Sequence, residues 1–550
     1  REQRIPVLAA HLARPPCPPT TPFRAMSPSI QKPEVSSTSD LYAKRPYVDG
    51  AKVLVNGEVK TWTGSCADVL APLYVAETGE QICIGRQANL TVEASEQAIK
   101  AAAAAWGKGR GAWPSKTLEQ RIEAVEGLVV KLKELRGQIV QVLQWEICKN
   151  DADAAKEFDR TMEFIAALIK SAREMNSGGM VCEEGIHAIV KRSAIGVMLN
   201  LGPSNYPFNE TYSTLIPALL MGNTVAMKVP NTGGLAHVLT MEAYATCFPP
   251  GVVNFVSGRG RDTMPPIMAT GLVDIFAFIG SSRAADTLVK QHPAPHRLRV
   301  LLSLDAKNLG VVLPDADLDV AAKECLMGST SYNGQRCTAI KLIMVHKSVA
   351  AAFNEKFCAE VSKLAAGTPF GKNAITPLAS VKPEYMSELV EDAKAKGATV
   401  LNESGANWDR SIFFPAVVYP VTSEMKLWHE EQFGPVVPIA TYEKIEEVHD
   451  YLEKMHFGQQ SAIFTSQDAT EPSAELSELL QICAMSTSRV NLNVQCSRGP
   501  DCFPFAGRRS SAMGTLSVTE ALRAVSVETM VASKKAEVIT HAIQGAPVFC

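Results

Sequence analysis

Short apolar runs alternate with helix-length segments in the first half of this chain, and the alternation strongly limits the fold it can adopt. The runs cover residues 196–201, 224–230, 252–258 and 275–281. Each run ends in, or is followed by, Gly, Pro or Ser, and helix-length segments such as 211–221 and 235–247 separate them. Buried strands that alternate with helices predict a parallel, doubly wound α/β sheet. In such a sheet a ligand binds at the carboxyl ends of the strands.

Length, composition and charge limit the classes of protein to consider. A chain of 550 residues is too long for one hydrophobic core, so two or three domains are expected. Its 46% hydrophobic and 20% charged residues are ordinary for a soluble globular enzyme. A formal net charge of −3 gives no general attraction to nucleic acid or anionic membranes. The charge therefore predicts no nucleic acid as a partner. No run of about 18 apolar residues occurs, so we expect no membrane-spanning helix and no membrane partner either.

The cysteines and the N-terminal residues bear on the cellular compartment. The 13 cysteines form no CxxC pair and no regular spacing, so we predict neither a metal site nor a disulfide framework. Reduced thiols fit a reducing compartment, and the cytoplasm is expected. Residues 1–44 are rich in Pro and Ser and basic overall, which predicts a disordered tail or an organelle transit peptide.

Three helical segments are predicted before the first apolar run. Residues 93–106 are rich in alanine, 118–147 carry apolar residues at helical spacing, and 153–175 have the same texture. Ser115 follows a proline and is the predicted N-cap of the second segment.

Cys337 is the strongest candidate for a nucleophile. It lies in the segment Asn-Gly-Gln-Arg-Cys-Thr, a glycine-containing turn that we expect solvent to reach. Arg336 favours the thiolate, which is the reactive form of cysteine. Gly334 allows the backbone to come close to a ligand. Most buried cysteines are inert, so these neighbours distinguish Cys337 from the others.

Two glycine-containing turns are candidates for contact with a cofactor phosphate. Gly258-Arg259-Gly260 follows an apolar run but lacks the third glycine of the usual dinucleotide fingerprint. Gly280 and Ser281 also follow an apolar run and precede a predicted helix, whose N-terminus could hold a phosphate. The alternative for either turn is an ordinary strand-to-helix connection.

The segment around Cys337 resembles the active-site segment of the aldehyde dehydrogenase superfamily, and the resemblance extends from about residue 47 to residue 535. Three further segments carry it in the same order: Gly202-Pro203-Ser204-Asn205-Tyr206-Pro207, Met227-Lys228-Val229-Pro230 and His429-Glu430-Glu431-Gln432-Phe433-Gly434-Pro435. The resemblance implies a Rossmann-type cofactor domain, an α/β catalytic domain and an oligomerisation arm that forms a homodimer or homotetramer.

The resemblance also implies domain boundaries. The cofactor domain is expected at 45–179 and 196–304, the catalytic domain at 305–509, the arm at 180–195 and 510–535, and a tail at 536–550. The segment 1–44 precedes them.

Roles for the cofactor-binding residues follow from the same resemblance. Lys228 is implied to contact the adenosine ribose, and Gly280 with Ser281 to contact a cofactor phosphate. Glu431 and Phe433 are implied to orient the nicotinamide ribose.

The implied chemistry agrees with the residue types. Cys337 attacks an aldehyde, Asn205 and a backbone N–H stabilise the oxyanion, hydride leaves to the nicotinamide, and a thioester remains. NADP is favoured over NAD because Asn231 stands where members that prefer NAD often place an acid. No carboxylate there repels a 2′-phosphate, and Lys228 attracts one.

The run Arg-Gly-Pro-Asp-Cys-Phe-Pro-Phe at residues 498–505 resembles the branch of the superfamily that oxidises glyceraldehyde 3-phosphate without phosphorylating it. In that branch an arginine at the position of Arg498 helps to bind the substrate phosphate. Arg160, Tyr206 and Arg336 fit the same branch, and guanidinium groups bind phosphate in a forked geometry. The alternative is that Arg160 lies on a helix surface and Arg498 forms a loop salt bridge.

One departure concerns release of the acyl group. The family segment Leu-Glu-Leu-Gly-Gly-Lys is here Leu302-Ser303-Leu304-Asp305-Ala306-Lys307, so Ser303 replaces the glutamate that usually activates water. Serine has no useful basicity at neutral pH. Asp305 is a candidate replacement, because residues two apart in an extended segment share a face. The alternative is a structural role for Asp305.

Two rival functions remain open from the sequence. Coenzyme-A-acylating semialdehyde dehydrogenases also lack that glutamate, and in them coenzyme A releases the acyl group. The phosphate-binding run at 498–505 counts against this rival. A non-catalytic binding relative is the other, and the intact Cys337, Asn205 and Glu431 count against it.

Overall fold

The structure is a computed structural model that describes residues 31–468, 470–543 and 546. Expectations for residues 1–30, and for the tail at 544–545 and 547–550, lie outside the described residues. The expectation of an unstructured segment as far as residue 44 is wrong for its last part. The strand Glu34–Val35 pairs with Tyr74 and Val75, and the helix Asp40–Ala43 follows it. Val35 is buried in the core, which fixes this segment to the domain.

A six-stranded sheet confirms the predicted doubly wound fold. Its spatial order is Val253–Val256, Thr224–Lys228, Val197–Leu201, Ile275–Ile279, Arg299–Ser303 and Ala512–Met513. All neighbours are parallel except Ala512–Met513, which runs antiparallel to its neighbour. The strand order reverses between Val197–Leu201 and Ile275–Ile279, so a ligand site is expected at the carboxyl ends of these two strands.

Helices cover both faces of this sheet, which explains why its strands are continuously apolar. Met198 and Met227 point into one core, whereas Leu199 and Ala226 point into the core on the other face. The helices of this part are Val92–Trp106, Leu118–Glu134, Arg136–Glu146, Asp151–Asn176, Pro207–Leu220, Leu235–Val238, Met241–Cys247, Gly260–Ala269, Ser282–Gln291 and Val518–Ala524.

Two helix predictions need correction. The segment 118–147 forms two helices that meet at Leu135, and 235–247 likewise forms two short helices. Ser115 is not the N-cap; Thr117 is. The Thr117 hydroxyl accepts from the Gln120 N–H at 3.3 Å, and the Gln120 side chain accepts from the Thr117 N–H at 3.1 Å. This reciprocal pair is a capping box, which satisfies two otherwise unpaired donors.

A seven-stranded sheet forms the second large domain. Its order is Thr399–Val400, Ala416–Tyr419, Val436–Tyr442, Ile340–His346, Asn308–Val312, Gln460–Phe464 and Arg489–Leu492. The neighbours are parallel except for Thr399–Val400, the first strand. The helices here are Leu318–Thr330, Ala350–Val361, Pro383–Ala395, Lys426–His429, Ile445–Lys454 and Ala474–Ser486.

The arm is a three-stranded antiparallel sheet. The hairpin Val181–Glu183 and Ile186–Ala194 pairs with Ser526–Ser533. Glu184 and Gly185 form its turn with positive φ values of 50° and 76°. This hairpin lies within the segment 180–195 that was predicted to belong to the arm. Two-residue turns of this kind are common in hairpins.

The predicted C-terminal boundary of the arm is wrong. Ala512–Met513 is an edge strand of the six-stranded sheet, and Val518–Ala524 packs into the core of the same domain. Only Ser526–Ser533 joins the arm. The helix Ala536–Ile543 follows it and buries Ile539, so the first part of the tail is ordered against the arm.

The described residues also form one four-stranded sheet and three two-stranded sheets. Cys66–Val75 and Gln81–Ala88 lie at the centre of a four-stranded sheet, with Glu34–Val35 and Val48–Gly50 at its edges. The two-stranded sheets pair Lys52–Val55 with Glu58–Thr61, Trp408–Asp409 with Ile412–Phe413, and Phe457–Gly458 with Arg508–Arg509. Across 31–468, 470–543 and 546, no helix has both the length and the apolar character needed to cross a bilayer.

Candidate active site

A cleft of about 1480 Å³ opens at the carboxyl ends of the strands Val197–Leu201 and Ile275–Ile279, facing the second sheet. Thirteen of the fourteen residues predicted for the site line it: Arg160, Asn205, Tyr206, Lys228, Asn231, Gly280, Ser281, Asp305, Arg336, Cys337, Glu431, Phe433 and Arg498. The exception is Gly258. The two domains therefore meet around one cleft that holds nearly all the candidate residues.

Gly258 is not among the residues that line the cleft. Its φ of +98° and the 3.1 Å from a Cβ built there to the Leu90 nitrogen explain a glycine at this turn. Gly260, two residues later, does line the cleft. The structure thus favours the ordinary strand-to-helix connection for Gly258.

The loop before Cys337 is held in an unusual backbone conformation. Tyr332, Asn333 and Gly334 have positive φ values of 49°, 55° and 69°. The Asn333 side chain stabilises the turn, because its Nδ2 donates to the Thr376 carbonyl at 2.9 Å and its Oδ1 accepts from the Thr376 N–H at 3.0 Å. A Cβ on Gly334 would lie 2.6 Å from the Ser329 oxygen, so only glycine fits there.

The Cys337 thiol is part-exposed at the cleft wall, and its pKa differs from the expected one. Burial raises the pKa of Cys337, and a hydrogen bond from Gln459 and the charges of Lys341 and Arg336 lower it by smaller amounts. The expectation that Arg336 favours the thiolate is therefore outweighed by desolvation, which favours the protonated thiol. The Arg336 guanidinium instead donates to the Met327 and Gly328 carbonyls at 3.1 and 2.9 Å.

Asn205 connects the end of a cofactor-domain strand to the nucleophile loop. It lies between the strand Val197–Leu201 and the helix Pro207–Leu220. Its Nδ2 donates to the Gln335 carbonyl at 2.8 Å, two residues before Cys337. An amide nitrogen carries two protons, so one remains to donate to a group bound at Cys337.

A buried ion pair beneath Tyr206 was not predicted from the sequence. Lys149 and Glu157 have fully buried side chains and pair directly. The Lys149 ammonium lies 3.3 Å from the Tyr206 ring centre and 4.8 Å from that of Tyr332. Glu157 Oε1 accepts from the Phe208 N–H at 2.9 Å, at the start of the helix Pro207–Leu220. The pair thus supports the residues that follow Asn205.

The predicted cofactor end of the cleft contains a buried lysine. Lys228 Nζ donates to the Val229 carbonyl and to Asn231 Oδ1, the latter at 3.2 Å. Burial lowers the pKa of Lys228 to about 7. The side chain of Ser281 caps the ten-residue helix Ser282–Gln291. Gly280 and Ser281 both line the cleft, so the N-terminus of that helix faces it. No carboxylate of the described residues pairs with Lys228, and both a buried ammonium and a helix N-terminus favour anions.

Ser303 and Asp305 lie where the family glutamate segment was expected. Ser303 ends the strand Arg299–Ser303 and lines the cleft. Asp305 Oδ2 accepts from the Ser282 N–H at 2.8 Å and from the Ser282 hydroxyl at 2.6 Å. The carboxylate thus supports the start of the helix Ser282–Gln291, and a catalytic role for Asp305 stays a prediction.

Glu431 and Phe433 share a buried lysine. Lys341 Nζ lies 3.3 Å from Glu431 Oε1 and 4.8 Å from the Phe433 ring centre. Burial raises the pKa of Glu431 to about 7, although the nearby Lys341 lowers it. Sequence reasoning missed Lys341, because a lysine in the strand Ile340–His346 carries no signal that separates it from a surface lysine.

The predicted phosphate arginines are paired with carboxylates. Arg160 makes two hydrogen bonds to Asp501, at 2.6 and 2.8 Å. Arg498 contacts Glu210 directly and lies 3.5 Å from Asp501. The loop salt bridge considered for Arg498 is thus present, while Arg160 lines the cleft instead of an outer helix surface. Arg498 Nη2 is buried and has no hydrogen-bond partner among the described residues.

Comparisons with known proteins fit this geometry. The model of the aldehyde dehydrogenase family matches residues 66–531 of the chain. The chain is similar to the NADP-dependent glyceraldehyde-3-phosphate dehydrogenase of Streptococcus equinus, with 32% identity over 484 residues that cover 86% of this chain and 96% of the relative. The enzyme of the same name from Pisum sativum is 29% identical over 453 residues, which cover 80% of this chain and 86% of that one.

A solved structure shows a similar fold. The crystal structure of NADP-dependent glyceraldehyde-3-phosphate dehydrogenase from Bacillus halodurans C-125, complexed with NADP, has a TM-score of 0.79 and 29% identity to this chain. The match covers 88% of this chain and 99% of that one. The similarity therefore spans both domains and the cleft between them.

Proposed function

Since the chain belongs to the aldehyde dehydrogenase family, we propose that it oxidises glyceraldehyde 3-phosphate to 3-phosphoglycerate and reduces NADP. The observation that carries the proposal is one cleft that joins Cys337 and Asn205 to an arginine-lined end and to a buried lysine. The reaction is an aldehyde oxidation through a covalent cysteine intermediate.

Asn205 and Cys337 form the acylation site. The Cys337 thiol first loses its proton to solvent. The thiolate sulfur then adds to the aldehyde carbon, and the resulting oxyanion accepts hydrogen bonds from Asn205 Nδ2 and a backbone N–H. Donors held before the reaction stabilise this charge without reorganisation, and the Asn205–Gln335 hydrogen bond supports such preorganisation. NADP, when bound, supplies the hydride acceptor. A thioester on Cys337 remains after hydride transfer.

Lys228, Asn231, Gly280 and Ser281 would hold the cofactor. Lys228 is a buried cation whose polar contacts are a carbonyl and an amide, so an anionic phosphate would be a better partner than either. Asn231 carries no charge to repel a 2′-phosphate. These features support NADP over NAD, as does the NADP-dependent activity named for the relatives. Glu431 and Phe433 are proposed to orient the nicotinamide ribose.

Arg160, Tyr206, Arg336 and Arg498 are proposed to bind the substrate phosphate. The strongest support is the buried Nη2 of Arg498 in the cleft lining, which has no hydrogen-bond partner in the part of the chain that the structure describes. Burial lowers the pKa of Arg498 to about 10, so a phosphate dianion would stabilise its charged form.

Coenzyme-A-dependent acyl release is the second candidate function. The observation that favours it is Ser303, which places no carboxylate where the family glutamate is expected. The arginine-lined end of the cleft favours a phosphorylated aldehyde, which a coenzyme-A-acylating semialdehyde dehydrogenase would not need.

A homodimer or homotetramer is proposed from the arm. Val181 and Met530 are 60% and 63% exposed on its surface. Large apolar side chains exposed on the surface of a sheet are typical of subunit contacts. Light scattering coupled to size exclusion would measure the mass, and a monomer at micromolar concentration would contradict this assembly.

One assay tests the proposed reaction. Purified protein is mixed with glyceraldehyde 3-phosphate or unphosphorylated glyceraldehyde, with NADP or NAD, and with or without coenzyme A. NADPH absorbance should rise repeatedly with the phosphorylated aldehyde and NADP alone. Turnover only with coenzyme A would favour the second candidate function, and no NADPH at all would contradict both.

A further inference from the structure

Release of the acyl group from Cys337 needs a proton acceptor that the expected segment does not supply. Ser303 lies in the cleft, but a hydroxyl cannot accept a proton from water at neutral pH. Asp305 is the nearest acid along the chain. Its Oδ2 is held by two hydrogen bonds from Ser282, which direct that oxygen to the start of a helix.

A second acid of the cleft, Glu431, is connected to the nucleophile loop through Lys341. Lys341 Nζ donates to the Gly334 carbonyl at 3.5 Å and to the Gln432 carbonyl at 3.0 Å, and it lies 3.3 Å from Glu431 Oε1. The same ammonium therefore touches the loop of Cys337 and the loop of Glu431.

The two loops also pack directly against each other. A Cβ placed on Gly334 would lie 2.7 Å from the Gly434 oxygen, so their backbones are in close contact. Glu431 lies three residues before Gly434, and Cys337 lies three residues after Gly334. Both side chains line the cleft. Burial is the main cause that raises the pKa of Cys337, and the negative charge of Glu431 raises it further, which fits two side chains that face the same part of the cleft.

Glu431 Oε1 is available to accept a proton. It is buried and accepts no hydrogen bond from any of the described residues, although Lys341 lies within ion-pair distance. The charged and titratable groups around Glu431 are Lys341, Asp305, Cys337 and Lys307.

We propose that Glu431 is the general base that releases the acyl group in place of the missing glutamate. This inference rests on the proposed function. A water molecule adds through its oxygen to the thioester carbonyl carbon and gives its proton to Glu431. The carbon–sulfur bond then breaks, Cys337 leaves as the thiolate, and the carboxylic acid is released. No electron is transferred in this step.

The ionisation of Glu431 suits the role. Burial raises the pKa of Glu431 to about 7, and a general base is most effective when its pKa lies near the working pH. Acyl release should therefore rise with pH through about 7, as Glu431 loses its proton.

Glu431→Gln separates acyl release from acyl formation. In a rapid-mixing experiment with glyceraldehyde 3-phosphate and NADP, the variant should still produce one NADPH per site and then stall. Loss of the proposed contact between Glu431 and the nicotinamide ribose should slow the burst less than it slows the steady state. Its steady-state rate should fall by about 10²–10⁴-fold, the usual contribution of a general base. Mass spectrometry of the quenched variant should show the acyl group on Cys337. Hydroxylamine, which attacks thioesters without a base, should restore turnover.

Two control variants test whether acyl release depends on the carboxylate of Glu431 in particular. Glu430→Gln removes a neighbouring exposed carboxylate and should leave the burst and the steady-state rate unchanged. Glu431→Asp keeps a carboxylate and should recover part of the release rate.

Two outcomes would overturn the proposal. The first is equal slowing of burst and steady state in Glu431→Gln, without acyl-enzyme and without rescue by hydroxylamine. The second is accumulation of acyl-enzyme in Asp305→Asn but not in Glu431→Gln. The wild-type protein separates these results from failure of the proposed function, because in that case it would itself produce no NADPH from glyceraldehyde 3-phosphate.

Discussion

The Lys149 ammonium lies 3.3 Å from the centre of the Tyr206 ring, a cation over an aromatic face inside the protein. Glu157 neutralises the ammonium and accepts from the backbone N–H groups of Phe208 and Asn209. One buried pair thus fixes the ring of Tyr206 and the start of the next helix. Asn205 immediately precedes Tyr206 and this helix, so the buried Lys149–Glu157 pair supports its position as well.

Lys149→Met should destabilise the fold strongly. The substitution leaves Glu157 buried without its ion-pair partner, and such losses typically cost about 3–5 kcal/mol. Urea unfolding followed by circular dichroism measures the change. Lys170→Met is the matched control, because Lys170 is 79% exposed and should change stability little. Equal midpoints for the two variants would contradict the importance of the buried pair.

Asn205→Ala should lower kcat by about 10²–10³-fold, the usual effect of removing one oxyanion donor. Folding should be retained, because Asn205 makes its side-chain hydrogen bond to a single carbonyl outside its own loop. The control is the rate of Cys337 alkylation by iodoacetamide, which should stay close to that of the wild type. Parallel losses of alkylation and turnover would place the defect in the nucleophile instead.

Arg498→Met should raise KM for glyceraldehyde 3-phosphate by roughly 10–100-fold, because a charge-assisted hydrogen bond is worth about 1.5–3 kcal/mol. KM for unphosphorylated glyceraldehyde should change little. Steady-state kinetics with both aldehydes measures the difference. Arg173→Met, which removes an exposed arginine paired with Glu119, serves as the control. A similar rise of KM for both aldehydes would contradict the assignment of Arg498 to the phosphate.

NADP affinity should fall as pH rises from 7 to 9. Burial lowers the pKa of free Lys228 to about 7, so the free lysine loses its charge over this range. A bound 2′-phosphate favours the charged form, and binding therefore takes up a proton. Titration of cofactor fluorescence quenching gives the dissociation constant at each pH. NAD, which lacks the phosphate, and the variant Lys228→Met should both show a flatter dependence. An NADP affinity independent of pH would count against the contact.

Ser303→Glu should accelerate acyl release. Ser303 lines the same cleft as Cys337 and ends its strand, so this substitution places a carboxylate at the position of the family glutamate. In Ser303→Glu the ratio of the burst rate to the steady-state rate should decrease. In the double variant Ser303→Glu/Glu431→Gln, acyl release should be faster than in Glu431→Gln alone. If the double variant stalls as fully as Glu431→Gln, the introduced carboxylate does not activate water.

The sequence predicted the doubly wound sheet because its strands are buried on both faces and therefore read as apolar runs. It also predicted most of the cleft, because those residues lie in contiguous segments that resemble a known family. Gly258 was the exception, since a turn glycine and a phosphate-binding glycine look alike in sequence. The N-cap was misplaced by two residues, because Ser115 and Thr117 have the same capping chemistry.

Contacts between distant residues could not be predicted in the same way. Asp501 pairs with Arg160 across 341 positions, and Glu210 pairs with Arg498 across 288. Neither spacing follows a helix or strand period, so only the folded chain brings these charges together. The boundary of the arm was missed because residues 510–525 have the same apolar texture as the strand that follows them.

The Asn205–Gln335 hydrogen bond has a consequence for inactivation. Asn205 follows a strand of the six-stranded sheet, and Gln335 belongs to the loop that carries Cys337, so the proposed reacting pair is assembled where the two large domains meet. A small displacement of one domain relative to the other would move Asn205 Nδ2 away from the Cys337 sulfur, while each domain kept its hydrophobic core. A substitution far from the cleft could therefore silence the enzyme and leave its melting temperature untouched.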